Sequence, residues 1–297
     1  MTPVATLACA APTSFFVLAR SGKLGAAVCD DHKLRVWALP EGRLVRTIDT
    51  GSQGIDAVAM SGDGGWIAAG DHGGAYRVWN ASTGAQQLEL RMPYYPSALA
   101  FSADGKRLAI APVGEPVQIN DVGSRRKLFE LERTVGGTAS VAFSGDGSRI
   151  ATADADTVVR IYDGRNGKLV ARNTDFLLEP LAVIFTADGK RVLAGGCDLT
   201  IAVLDAATGN AVRKSGKLAD PVSFLAVSPD GTLAAAGLMR AANMLLAAPV
   251  LILETESGRK VDEWLPGNRV LGGGWTADGH LLAATNDSSA LEIWRVR

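Results

Sequence analysis

One short pattern recurs through the chain and limits what it can become. In Val141-Ala142-Phe143-Ser144-Gly145-Asp146-Gly147-Ser148-Arg149-Ile150-Ala151 an apolar run enters a Gly-Asp-Gly turn and a second apolar run leaves it. Asp-Gly is the dipeptide of a tight hairpin, because the turn needs a left-handed backbone that glycine adopts without steric cost. The turn glycine returns at Gly22, Gly64, Gly105, Gly147, Gly189, Gly231 and Gly279, in steps of 42, 41, 42, 42, 42 and 48 residues. Seven copies at this period predict a repeat architecture of four short strands per copy.

The unbroken repeat makes the 297 residues one closed domain rather than two. A hydrophobic content of 47% is enough for a large core, while a net charge of −1 supplies no basic stripe for nucleic acid or an anionic membrane. No apolar run reaches membrane-spanning length. The first dozen residues have a faint look of an export signal, with Cys9 as a candidate for lipid attachment, but no basic residue precedes the apolar part. They read better as a strand. Cys9, Cys29 and Cys197 are too few and too scattered for a disulfide framework, which fits a reducing, cytoplasmic setting.

In chain order, the copies are expected at 14–48, 55–90, 97–131, 138–172, 181–215, 222–264 and 270–297. The last has room for only three strands, and residues 3–9 are expected to supply its fourth. A ring closed in that way leaves no free sheet edge at the seam.

A second marker falls near the end of each third strand, at Trp37, Trp79, Asn120, Tyr162, Leu204, Leu253 and Trp294. Acidic or amide residues follow it (Asn80, Asp121, Asp163, Asp205, Glu254), then Thr83-Gly84, Asn166-Gly167, Thr208-Gly209 or Ser257-Gly258. Together these copies resemble the Trp-Asp (WD) repeat family over essentially the whole chain. That resemblance implies an all-β, seven-bladed β-propeller with four antiparallel strands per blade. The copies are degenerate: the family's Gly-His pair is missing, and its structural Asp survives only as Asp31, Asp156 and Asp198. Copy five, Asp198 to Asp205, also looks like bacterial surface-layer-type propeller repeats. These departures put the family's side-chain tetrad in question, but not the ring.

Each first strand carries a large apolar residue at one position: Leu18, Met60, Phe101, Phe143, Phe185, Val227 and Trp275. An aromatic ligand cage is one reading; packing between blades is preferred, because the residues keep the repeat register. Second strands are rich in Ala and Gly, which lets neighbouring blades approach closely.

The family topology would put the Asp-Gly turns on one face of the disc. The turns between second and third strands, and the connections between blades, would then share the opposite face, where function is expected. That loop face collects Asp30, Asp31 and His32, Asp71 and His72, Glu115, Asp154, Asp156, Asp198 and Asp287. Asp31, His32, Asp71 and His72 are candidate polar rim residues. Two histidines among carboxylates suggest a metal site, but turn chemistry alone explains Asp and Gly there, so no metal or cofactor is expected. No nucleophile elbow or phosphate-binding loop is present. Copy six has 22 − 15 = 7 extra residues between its second and third strands, within 238–249. From it and from nearby connections come the candidate contact residues Tyr94, Tyr95, Phe176, Met239, Arg240 and Met244. The resemblance implies a non-catalytic scaffold that binds a protein or peptide on this face; a monomer is expected, with the oligomeric state left open. The alternative is a propeller hydrolase or lyase of the lactonase type, with its site at the mouth of the central channel.

Overall fold

A computed structural model describes residues 3–7, 13–29, 31–52, 54–239, 248–266, 270–276, 278–287 and 290–295. Asp30, Arg240 and Met244 lie outside the described residues. The chain is all-β, with seven four-stranded sheets. In six of them the strands lie in sequence order and each pair is antiparallel. Blade 1, for example, is Thr13–Leu18, Leu24–Cys29, Lys33–Ala38 and Arg43–Asp49. The first strands of successive blades lie against one another around the whole circle, the seventh returning to the first. The molecule is therefore a seven-bladed β-propeller whose first strands surround a central channel.

The seventh sheet comprises Val270–Trp275, Leu281–Asp287 and Ala290–Arg295, and its outer position is taken by Pro3–Leu7. Pro3–Leu7 runs antiparallel to Ala290–Arg295, with Leu7 opposite Leu291 and Pro3 opposite Trp294. The Leu7 side chain is fully buried among Phe16, Trp37, Leu39 and Ile293.

Burial follows the position of each strand in its blade. The second strands of blades 1 to 6 have five of their six residues buried, as in Arg191–Gly196 and Leu233–Leu238. These strands lie in mid-sheet with a blade on either side, and small side chains alternate there with buried large ones such as Ile67, Ile110 and Leu193. A Cβ at Gly237 would come 1.9 Å from the Phe224 ring. Fourth strands form the rim, and all four residues of Ala211–Lys214 are exposed. The second marker is buried in all six of the blades from Trp37 to Leu253, and Trp294 packs part-buried against Trp264.

Each Asp-Gly turn closes on its own side chains. The Ser144 hydroxyl donates to Asp146 (2.7 Å), and that carboxylate accepts the Ser148 amide (3.0 Å). Gly147 takes φ +67°, and its amide donates to the Ser144 carbonyl. The same Ser/Thr-to-Asp bond recurs at Ser61, Ser102, Thr186, Ser228 and Thr276. The Ser148 amide and the Ser144 and Ser148 hydroxyls hold Asp146 down at about 2.

One expectation fails. Cys29 is disulfide-bonded, and Cys197 is the free thiol among the described residues. Scattered positions in sequence say little about distance in a closed ring, so cysteine usage no longer argues for a reducing setting.

Candidate functional site

The antiparallel order of the sheets places the turns between second and third strands on the same face as the connections between blades. Three of those turns carry carboxylate–arginine pairs, exposed in blade 1 and buried in blades 2 and 4. In blade 1, Arg35 donates to both oxygens of Asp31, at 2.7 and 2.5 Å. This bidentate bond, led by Arg35 itself, lowers the Asp31 carboxyl to about 2. In blade 2, Arg77 donates to Asp71 (3.0 Å) and is paired with Glu89 (3.3 Å). Burial pushes Asp71 up, but the Ala75 amide, the Ser52 hydroxyl and Arg77 outweigh it and leave its pKa lowered.

Blade 4 has the most developed network. Asp154 is fully buried and accepts from Thr138 (2.6 Å), Thr152 (2.9 Å) and Arg160 (2.8 Å). Arg160 also forks onto Asp156 (2.9 and 2.7 Å) and reaches Glu132 (3.2 Å). Burial raises the Asp154 carboxyl, opposed by its three donors. The guanidinium of Arg160 is held charged, above its usual range, chiefly by Asp156. These pairs brace the turns that a tetrad was expected to brace. Asp-x-x-x-Arg at 31/35 and 156/160 was the available signal, and it was missed. Asp71 is thus a buried strut rather than a rim residue: Arg77 and the Ala75 amide occupy its oxygens.

The structure brings together His72 and Tyr95, a polar rim candidate and a contact candidate. Their rings stack at 4.8 Å and 17°, and His72 Nδ1 lies 3.2 Å from Asp56. The connection between blades 2 and 3 is pinned from below: the buried Tyr76 hydroxyl donates to the Tyr94 carbonyl (2.9 Å), and the Val113 amide to that of Tyr95 (3.0 Å). Gly74, at φ +77°, lets the Met92 carbonyl come within 2.1 Å of where a Cβ would be. The backbone is therefore fixed while the side chains of Tyr94 and Tyr95 stay 47% and 39% exposed. His32 is exposed on blade 1, at φ +60°, its carbonyl accepting from Thr50 (2.7 Å). Met239 is half-buried, its amide donating to the Pro221 carbonyl.

Phe176 is a correction. It is 3% exposed, packed with Val159, Ala171, Val183 and Val192 between blades 4 and 5 and covered by the Lys214 ammonium at 5.5 Å. An aromatic ring in a connection gains most by filling the gap between two blades. The exposed positions fall instead to the next two residues, Leu177 (84%) and Leu178 (54%). Val135 (80%) and Leu265 (63%), in two further connections, were not foreseen. Four connections between blades therefore present large apolar side chains on one face.

Among the described residues no group of three or more His, Cys, Asp or Glu is arranged to hold a metal ion. None of their helices is long and apolar enough to cross a membrane.

The fold defines the class: a seven-bladed β-propeller. Residues 42–80 and 130–163 match the family described as WD domain, G-beta repeat. Over 106 residues the chain is 32% identical to WD repeat-containing protein SL1-17 of Schistosoma mansoni. The alignment covers 34% of this chain and 34% of that protein, so the match spans about a third of the relative. With a relative in a flatworm, nothing supports restricting the resemblance to bacterial repeats.

Proposed function

We propose that the loop face binds a protein or peptide and that the propeller is a non-catalytic scaffold. The observation that carries this reading is the set of exposed apolar side chains on connections between blades, from Tyr94 and Tyr95 through Val135, Leu177 and Leu178 to Leu265. Isolated exposed apolar residues are ordinary, but a set repeated on one face is what interfaces use. Propellers of WD-type repeats typically serve as interaction platforms. The carboxylates that a channel-mouth hydrolase would draw on here, Asp31, Asp71 and Asp154, are engaged by arginines. We further propose that residues 1–297 act as one monomeric unit, with Pro3–Leu7 as the clasp of the ring.

Tyr95→Ser combined with Leu177→Ser tests the reading. Both side chains are exposed, so the melting temperature should stay within about 2 °C of the parent. Recovery of partners by cross-linked pull-down should fall at least about tenfold, roughly 1.4 kcal/mol. Equal recovery by both proteins refutes the contact surface; a large drop in melting temperature shows that the side chains are core.

A further inference from the structure

The opposite mouth of the channel holds a cavity of about 720 Å³, open on the Asp-Gly face and lined by all seven large residues of the first strands. These side chains do two jobs. Phe185 and Trp275 are buried, whereas Leu18, Met60, Phe101, Phe143 and Val227 keep part of their surface toward the cavity. The second turn residue reaches the same mouth in each of the first six copies. It is Gly, Ala or Pro in six copies, as at Gly62, Ala103, Gly145 and Pro229, but Arg20 in the first.

Among the described residues, Arg20 is the only charged side chain lining the cavity. It crosses the mouth from blade 1 until Nη1 lies 4.0 Å from where a Cβ on Gly145 of blade 4 would be. It makes no hydrogen bond or ion pair with any described residue. Of the other polar side chains, Ser144, Thr186 and Ser228 donate to their own turn aspartates, the Trp275 indole N–H donates to the Ala226 carbonyl (3.3 Å), and Ser21 accepts the Lys23 amide (3.4 Å). An apolar cavity of several hundred Å³ with one unengaged polar group is the ordinary form of a small-ligand site. A guanidinium selects a planar carboxylate.

We infer that this mouth binds an alkyl monocarboxylate of fatty-acid type, its chain on the first-strand ring and its carboxylate on Arg20. The inference is independent of the loop-face reading, since the two sites lie on opposite faces. The test uses decanoate below its micelle concentration, followed by calorimetry and by the fluorescence of tryptophan, Trp275 being in the wall. Decanoate should bind at one equivalent, and Arg20→Gln should weaken it at least about tenfold. Decanol should bind no better to the parent than decanoate binds to Arg20→Gln. Gly145→Leu blocks the mouth without straining the turn, because a Cβ there meets nothing closer than 3.5 Å; it should abolish binding while the protein melts as before. Any of four results overturns the proposal: no decanoate binding, equal affinity in Arg20→Gln, decanol as tight as decanoate, or a peptide with an apolar C-terminal residue bound more tightly than decanoate.

Discussion

Asp154→Ala is the sharpest probe of what braces the loop face. The substitution removes a carboxylate with no solvent exposure that accepts three hydrogen bonds. Thr138 and Thr152 would each be left with a buried hydroxyl lacking its acceptor, at about 1–3 kcal/mol apiece for such groups, less whatever they regain by rotating. Arg160 loses one of three anionic partners but keeps Asp156 and Glu132, so it adds little. The sum is about 3–5 kcal/mol, the range seen when one partner of a buried ion pair is deleted. At roughly 2–4 °C per kcal/mol for a large domain, the melting temperature should drop by about 6–20 °C. Asp156→Ala, whose carboxylate is 20% exposed, should cost under about 1 kcal/mol. Urea unfolding of parent, both single variants and Asp154→Ala with Arg160→Met supplies the comparison. The double variant should cost less than the sum of its parts, since neither charge is then left alone. An Asp154→Ala protein within about 1 kcal/mol of the parent would refute the account and reduce the network to decoration.

Two further outcomes are expected. Removing residues 1–11 strips Leu7 from its pocket and bares the edge of Ala290–Arg295, so the protein should aggregate or melt early; an unchanged monomer with the parental melting point would rule out the clasp. Because the Asp31 pKa is lowered in the folded state, to about 2, its contribution is complete above the usual carboxylate range and disappears as pH falls toward about 2. The stability gap between parent and Asp31→Asn should be under about 1 kcal/mol at neutral pH and close on acidification, and a gap that widens in acid would show the sign to be wrong.

The ring was legible because its most repeated residue, the turn glycine, answers a backbone demand that no other side chain meets cheaply. The second marker was legible for a related reason: a buried slot tolerates Trp, Tyr, Leu or even Asn as long as its place in the register is kept. Side-chain direction in the connections was not legible. Phe176-Leu177-Leu178 reads as one apolar run, yet the first ring fills the space between two blades and the next two side chains stand in solvent, a division set by the path of the backbone. The arginine struts were hidden differently. Asp and Gly crowd these turns for conformational reasons, so a structurally essential Asp154 looks like its neighbours until Arg160 is placed beside it. Arg20 was visible in principle, as the one long side chain in a column of Gly, Ala and Pro. Its meaning required knowing that the column faces the channel.

The pairing of Pro3 with Trp294 has a consequence for how the molecule is made. Pro3–Leu7 finds its hydrogen-bonding edge only once Ala290–Arg295 has also been made. Contacts this distant in sequence carry a large loop-closure entropy and form late. The six complete blades can each assemble from neighbouring strands as they appear, whereas the seventh waits on both ends of the chain. Pro3–Leu7 is made long before Ala290–Arg295, so it is among the last strands to be seated.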